Sequence, residues 1–169
     1  MSATTPTPVM GFISVADLGG AAWIGGYLLL NSLGRPLEFH CTEPVKANRA
    51  QQILFGETLQ PYLCGEQIAR SLVGNSSLKP DVVLTDVPSV MTLRGFVEFP
   101  LYLMLRDTGL PKGSWEPCDF AGVRGAVETQ FAADRAEIVQ AFEQVASGWD
   151  LEEPFERIRE AVSELQKAA

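Results

Sequence analysis

The chain has 169 residues, with 21 acidic against 13 basic side chains and a formal net charge of −8. Hydrophobic residues make up 46% of it, enough for one substantial core and too many for a disordered chain. The acidic balance disfavours a binder of nucleic-acid backbone, and a single histidine excludes a histidine-rich metal site.

Residues 1–8 are rich in Thr and Pro and read as a disordered lead-in. They show no basic segment before an apolar run, and no apolar run in the chain is long enough to span a bilayer. The three cysteines, Cys41, Cys64 and Cys118, are odd in number and widely spaced, which fits a reducing, cytoplasmic setting without disulfides. Residues 9–106 then read as an α/β core. Val9 to Val15 is a strand followed by a turn at Asp17–Gly20. Trp23 to Asn31 is apolar on both faces, so it reads as a central strand, and Gly25 and Gly26 within it require a close neighbour or a bend. Asn31 to Arg35 is a hairpin loop. From Pro36 to Thr42 the pattern alternates, with Leu37, Phe39 and Cys41 on one face and Glu38, His40 and Thr42 on the other.

The middle of the chain is helical. A first helix is expected from Pro44 to Phe55, and a second from Thr58 to Val73 with Pro61 in its first turn. Asp81 to Thr85 reads as a short buried strand, Pro88 to Leu93 as a helical turn, and Phe99 to Leu105 as another strand. Residues 107–128, with frequent Gly and Pro, read as a long loop. Residues 129–169 form a C-terminal helical pair on the same domain, the last helix opening at Glu153-Pro154. The expected fold is therefore α/β or α+β. It has a mixed sheet of about five strands beginning with a β-meander, flanked by helices.

Two local resemblances accompany this reading. Lys79-Pro-Asp-Val-Val-Leu-Thr-Asp86-Val-Pro88 and the later Pro100 to Leu105 resemble the receiver domains of bacterial response regulators. That resemblance implies a phosphoacceptor role for Asp86, although the acidic pair and the lysine of the family pattern are missing. The segment Leu28 to Phe39 resembles the hairpin of roadblock, longin or profilin-like sheets, which implies an interaction platform.

Candidate chemistry is sparse. His40 is the one side chain with a near-neutral ordinary pKa, and its neighbour Cys41 points to the opposite strand face, so the two form no dyad. No phosphate loop or nucleophile elbow occurs, and the Cys spacing suits no zinc site. If the chain is an enzyme or a small-ligand sensor, the expected pocket lies near strand ends, with His40 and Asp86 as catalytic candidates and Glu43, Arg49 and Arg94 as ligand contacts. No cofactor and no metal are expected. The leading expectation is instead a non-enzymatic protein-interaction or regulatory module whose partner is another protein or a second copy of the chain, with no nucleic acid and no membrane. Trp115 and Phe120 in the long loop, and the stripe Phe155, Ile158, Val162 and Leu165 on the last helix, are its candidate partner contacts. Residues 131–169 hold nine acidic and four basic residues, so most of the negative charge lies on the C-terminal helices.

Overall fold

A computed structural model describes residues 7–106, 109–120, 122–145 and 148–168. Most of the expected lead-in, the start of the expected loop at Asp107, and Ala146 at the end of the first C-terminal helix lie outside the described residues. Eight strands form one mixed sheet. Strands β1 (Met10–Gly19), β2 (Ala22–Leu30) and β3 (Pro36–Cys41) make an antiparallel meander. β5 (Val82–Thr85) then lies parallel to β1, and β6 (Leu101–Met104) parallel to β5. β8 (Gly125–Glu128) and β7 (Trp115–Pro117) complete the order β3-β2-β1-β5-β6-β8-β7, while the two-residue β4 (Val45–Lys46) pairs with β2. The mixed sheet between helices agrees with the expected class, although the sheet is wider than expected.

Alternation along the strands feeds two cores. Ile13, Val15, Tyr27, Leu29, Val83, Leu101 and Leu103 face one side. Helix α1 (Arg49–Phe55) leads there into a continuous helical stretch of α2 (Leu59–Pro61), a π-helix (Tyr62–Ala69) and α3 (Arg70–Gly74). Leu63, Ile68 and Leu72 of that stretch, with Val90 and Leu93 of the 3-10 helix Pro88–Phe96, cover that face. Met10, Phe12, Leu28, Leu30, Val82, Leu84 and Tyr102 face the other side, under α4 (Asp134–Glu143) and α5 (Glu153–Ala168). The molecule is thus three layers deep. Gly25 and Gly26 sit where the layers close on the sheet: a methyl group on Gly25 would meet Ile68 of the π-helix, and one on Gly26 would meet Ile158 of α5.

Several expected elements are corrected. β1 continues to Gly19, so the turn falls later, with positive φ at Gly20 (62°) and Ala21 (60°). The helix expected from Pro44 begins at Arg49. Val45 and Lys46 are drawn instead into pairing with Ala22 and Trp23, and Asn48 caps the helix in a reciprocal capping box with Gln51. The segment expected as the loop 107–128 carries β7 and β8, because Trp115 to Pro117 finds partners in Ala126 to Glu128. No helix among the described residues is long and apolar enough to cross a membrane.

Candidate functional site

β5 and β6 end beside the middle of their parallel neighbour β1, and open α/β sheets place ligands at such strand ends. Each contributes one polar side chain there. Ser14 is the single polar residue in the apolar run Met10–Val15 of β1, and it shares the face of Met10 and Phe12. Asp86 follows the last residue of β5. Arg106 follows β6. Helix α5 packs across β1 and β2 on that face through Ile158 and Val162 and adds Arg159.

The other three groups meet at the Asp86 carboxylate. Ser14 Oγ donates to Asp86 Oδ1 at 2.8 Å. Arg106 Nη2 and Arg159 Nη1 both donate to Asp86 Oδ2, at 3.1 and 3.0 Å. The Asp86 side chain is 8% exposed, whereas the two arginines are 42% and 41% exposed. A buried carboxylate needs such compensation, and here it has a hydroxyl and two guanidiniums. Two positive charges face one negative charge, so the cluster carries a net charge of +1. A cleft of 320 Å³ opens beside it, with Val15, Ile24, Val87, Ile158 and Val162 as apolar walls and Asp86, Arg159 and Gln166 as polar ones.

Asp86 therefore lies in a pocket at a strand end. The remaining expected site residues are elsewhere. His40 pairs across the sheet with Tyr27, whose side chain belongs to the opposite core, so His40 and Asp86 stand on opposite faces and share no site. His40 stacks on Tyr27 with ring centroids 6.4 Å apart and places Nε2 3.6 Å from Glu38. With Glu43 it lines a separate groove. Arg49 is exposed in the first turn of α1, away from both. Arg94 is a structural tie: Nε and Nη2 grip the buried Asp134 carboxylate at 2.8 and 3.2 Å, Nη1 donates to the Val97 carbonyl, and Phe131 lies under the guanidinium. The Asp134 carboxylate holds the Arg94 pKa above its ordinary value.

The expected partner contacts are corrected as well. Phe155, Ile158 and Val162 are buried under the chain's own sheet, so they are not available to a partner, and Leu165 alone of that stripe is exposed. Phe120 packs on Phe142 with centroids 5.1 Å apart, and Trp115 packs against the first core while donating from Nε1 to the Lys112 carbonyl. Both aromatics pin the segment to the body. The receiver-like reading of Asp86 has no support in its surroundings, since its partners are Ser14, Arg106 and Arg159, and β1 is flanked on one side by the antiparallel β2.

Among the described residues no three His, Cys, Asp or Glu side chains stand together as a metal site requires. Burial raises the thiol pKa of all three cysteines, that of Cys64 to about 12, which keeps them protonated and poor nucleophiles. Ser14, Arg106 and Arg159 were missed from the sequence. A lone hydroxyl in an apolar strand and an arginine directly after a strand were signals for the first two.

No family model and no curated protein matches this chain. Among solved structures it is similar to endonuclease V of Ciona intestinalis, crystallised in complex with a 24mer DNA containing an inosine followed by a ribo-adenosine. The TM-score is 0.44 at 10% identity, over 80% of this chain and 77% of that one. The expectations of a non-enzymatic interaction module and of no nucleic-acid partner are not carried further, and the likeness itself is no argument about what this chain binds. At that score the likeness assigns this chain no activity.

Proposed function

We propose that the chain is a small-ligand-binding domain whose cleft at the ends of β5 and β6, beside the middle of β1, takes a small carboxylate with an apolar body. The observation that carries this reading is the buried Asp86, which holds Arg159 in the wall of an apolar cleft and pairs with Arg106 as well, so that the cluster keeps a net positive charge. A guanidinium has five N–H donors, and each arginine uses one of them on Asp86. Among the described residues neither arginine makes another side-chain hydrogen bond, so further donors remain for an anion. The 320 Å³ cleft is at the small end of ligand pockets, and its walls suit a short aliphatic or aromatic body.

Calorimetric titration and thermal shift with a series of short aliphatic and aromatic carboxylates, each paired with its amide, test the reading. Saturable binding is expected for at least one carboxylate and not for its amide. Arg159→Gln is expected to weaken that binding about tenfold or more, the loss of one charge-assisted contact. Asp86→Asn is expected to weaken it too, by releasing both guanidiniums. Equal behaviour of carboxylates and amides, or full binding by the Arg159→Gln chain, overturns it.

A further inference from the structure

The opposite face of the sheet carries a second, larger groove of 620 Å³ between the β3–β4 segment and the helical stretch from the π-helix to α3. Its polar lining is His40, Thr42 and Glu43 on one side and Gln67, Ser71 and Asn75 on the other. No lysine or arginine lines it, and Glu43 forms no ion pair among the described residues. In sign it is the reverse of the Asp86 cleft.

His40 is the most constrained group in it. Its Nε2 is buried, without a hydrogen-bond partner, and 3.6 Å from the Glu38 carboxylate. Glu38 is itself fixed: Ser76 Oγ donates to Oε2, and Ser77 donates to Oε1 through both its hydroxyl and its backbone N–H. Those donors lower the Glu38 carboxyl to about 2, so the charge is present at neutral pH. Tyr27, fully buried beneath His40, also has a hydroxyl without a partner. A carboxylate behind one ring nitrogen selects the tautomer with the proton on that side. In the neutral ring, Nε2 facing Glu38 is the nitrogen that carries the proton and Nδ1 is the acceptor. The wall opposite includes the π-helix, a backbone form that recurs at functional sites. Gly65 lets this wall pack closely on the 3-10 helix, since a Cβ there would meet Thr92 and the Ser89 carbonyl.

We infer that this groove is a second ligand site, specific for a small organic amine, with Glu43 pairing the ammonium group and His40 Nδ1 accepting a second hydrogen bond. Among the described residues the groove supplies acceptors and one unpaired carboxylate, and no lysine or arginine lines it. The inference is independent of the carboxylate cleft, because His40 and Asp86 lie on opposite faces.

The test is a titration of the intact chain with ethanolamine, followed by the ring resonances of the single histidine, with N-acetylethanolamine and acetate as controls. Saturable shifts are expected with ethanolamine and not with either control. Glu43→Gln, an exposed position whose change leaves the fold intact, is expected to weaken binding about tenfold, the value of one charge-assisted contact. Asp86→Asn is expected to leave it unchanged. Absence of a saturable shift, an equal shift with N-acetylethanolamine, or full affinity in the Glu43→Gln chain overturns the inference.

Discussion

Two carboxylates show how the same residue type is held in opposite ways. Asp86 is buried and neutralised by guanidiniums. Glu38 is held by hydroxyls and one backbone N–H of the Ser76–Ser77 turn, which tie the edge strand β3 to the segment before β5. The Glu38 carboxyl is lowered from 4.5 to about 2, chiefly by the Ser76 and Ser77 hydroxyls. A folded-state pKa below the unfolded one means that the unfolded chain binds more protons in this interval. The contribution of Glu38 to stability is therefore complete above pH 4.5 and is lost as the pH falls toward about 2. In Glu38→Gln the acid limb of the stability profile is expected to flatten over that window, as read from the denaturant midpoint at successive pH values. An unchanged slope in the variant would show that Glu38 is not the group responsible.

At the scale of elements, packing overrides local preference. Alanine in place of a strand glycine is ordinarily stabilising by about 0.5–1 kcal/mol. At Gly25 the opposite is expected, because the new methyl group meets the Ile68 side chain on the π-helix. Gly25→Ala is expected to cost about 1–3 kcal/mol by overpacking. In combination with Ile68→Ala, which removes the opposing methyl group, the loss is expected to be smaller than the sum of the two single losses, measured as a coupling energy by chemical denaturation. Strict additivity would mean that the contact is not what excludes a side chain at 25. Gly25 and Gly26 announced a close neighbour or a bend in the sequence, and the structure supplies the close neighbour; the Asn31–Arg35 hairpin loop and the alternating β3 were legible too. Other elements were not. Val45 and Lys46 become a strand through pairing with Ala22 and Trp23, a non-local contact that periodicity does not carry. The helix after them does announce itself, since Asn48-Arg-Ala-Gln51 has the spacing of a capping box. Trp115 to Pro117 is too short for any period to register, and it becomes a strand through β8. The site was half visible. Asp86 stands out after an apolar strand, but the partner that closes its cleft, Arg159, lies 73 residues away and reaches it only through the packing of α5.

At the scale of the whole molecule, α5 has two duties. Its apolar stripe closes one layer of the core, and its Arg159 completes the Asp86 cluster. The excess negative charge of residues 131–169 is carried on α4, α5 and their connections, with Phe155, Ile158 and Val162 inward and the acidic groups other than the buried Asp134 exposed or partly exposed. Burying each of those three side chains is worth about 1.5–3 kcal/mol, so together they account for roughly 4.5–9 kcal/mol of a domain stability that is typically about 5–15 kcal/mol. A chain ending at Gly148 would expose Phe12, Ile24 and Leu28 to water and lose the Arg159 contact as well. Such a chain is expected to keep much of its far-UV circular dichroism, lose near-UV signal, bind a hydrophobic dye and unfold without a sharp transition. If α5 instead served a partner or a second copy, the truncated chain would stay folded and change only its mass in solution. Light scattering and thermal unfolding on the same sample separate the two outcomes, and a truncated chain with a sharp cooperative transition would show that α5 is not part of the core.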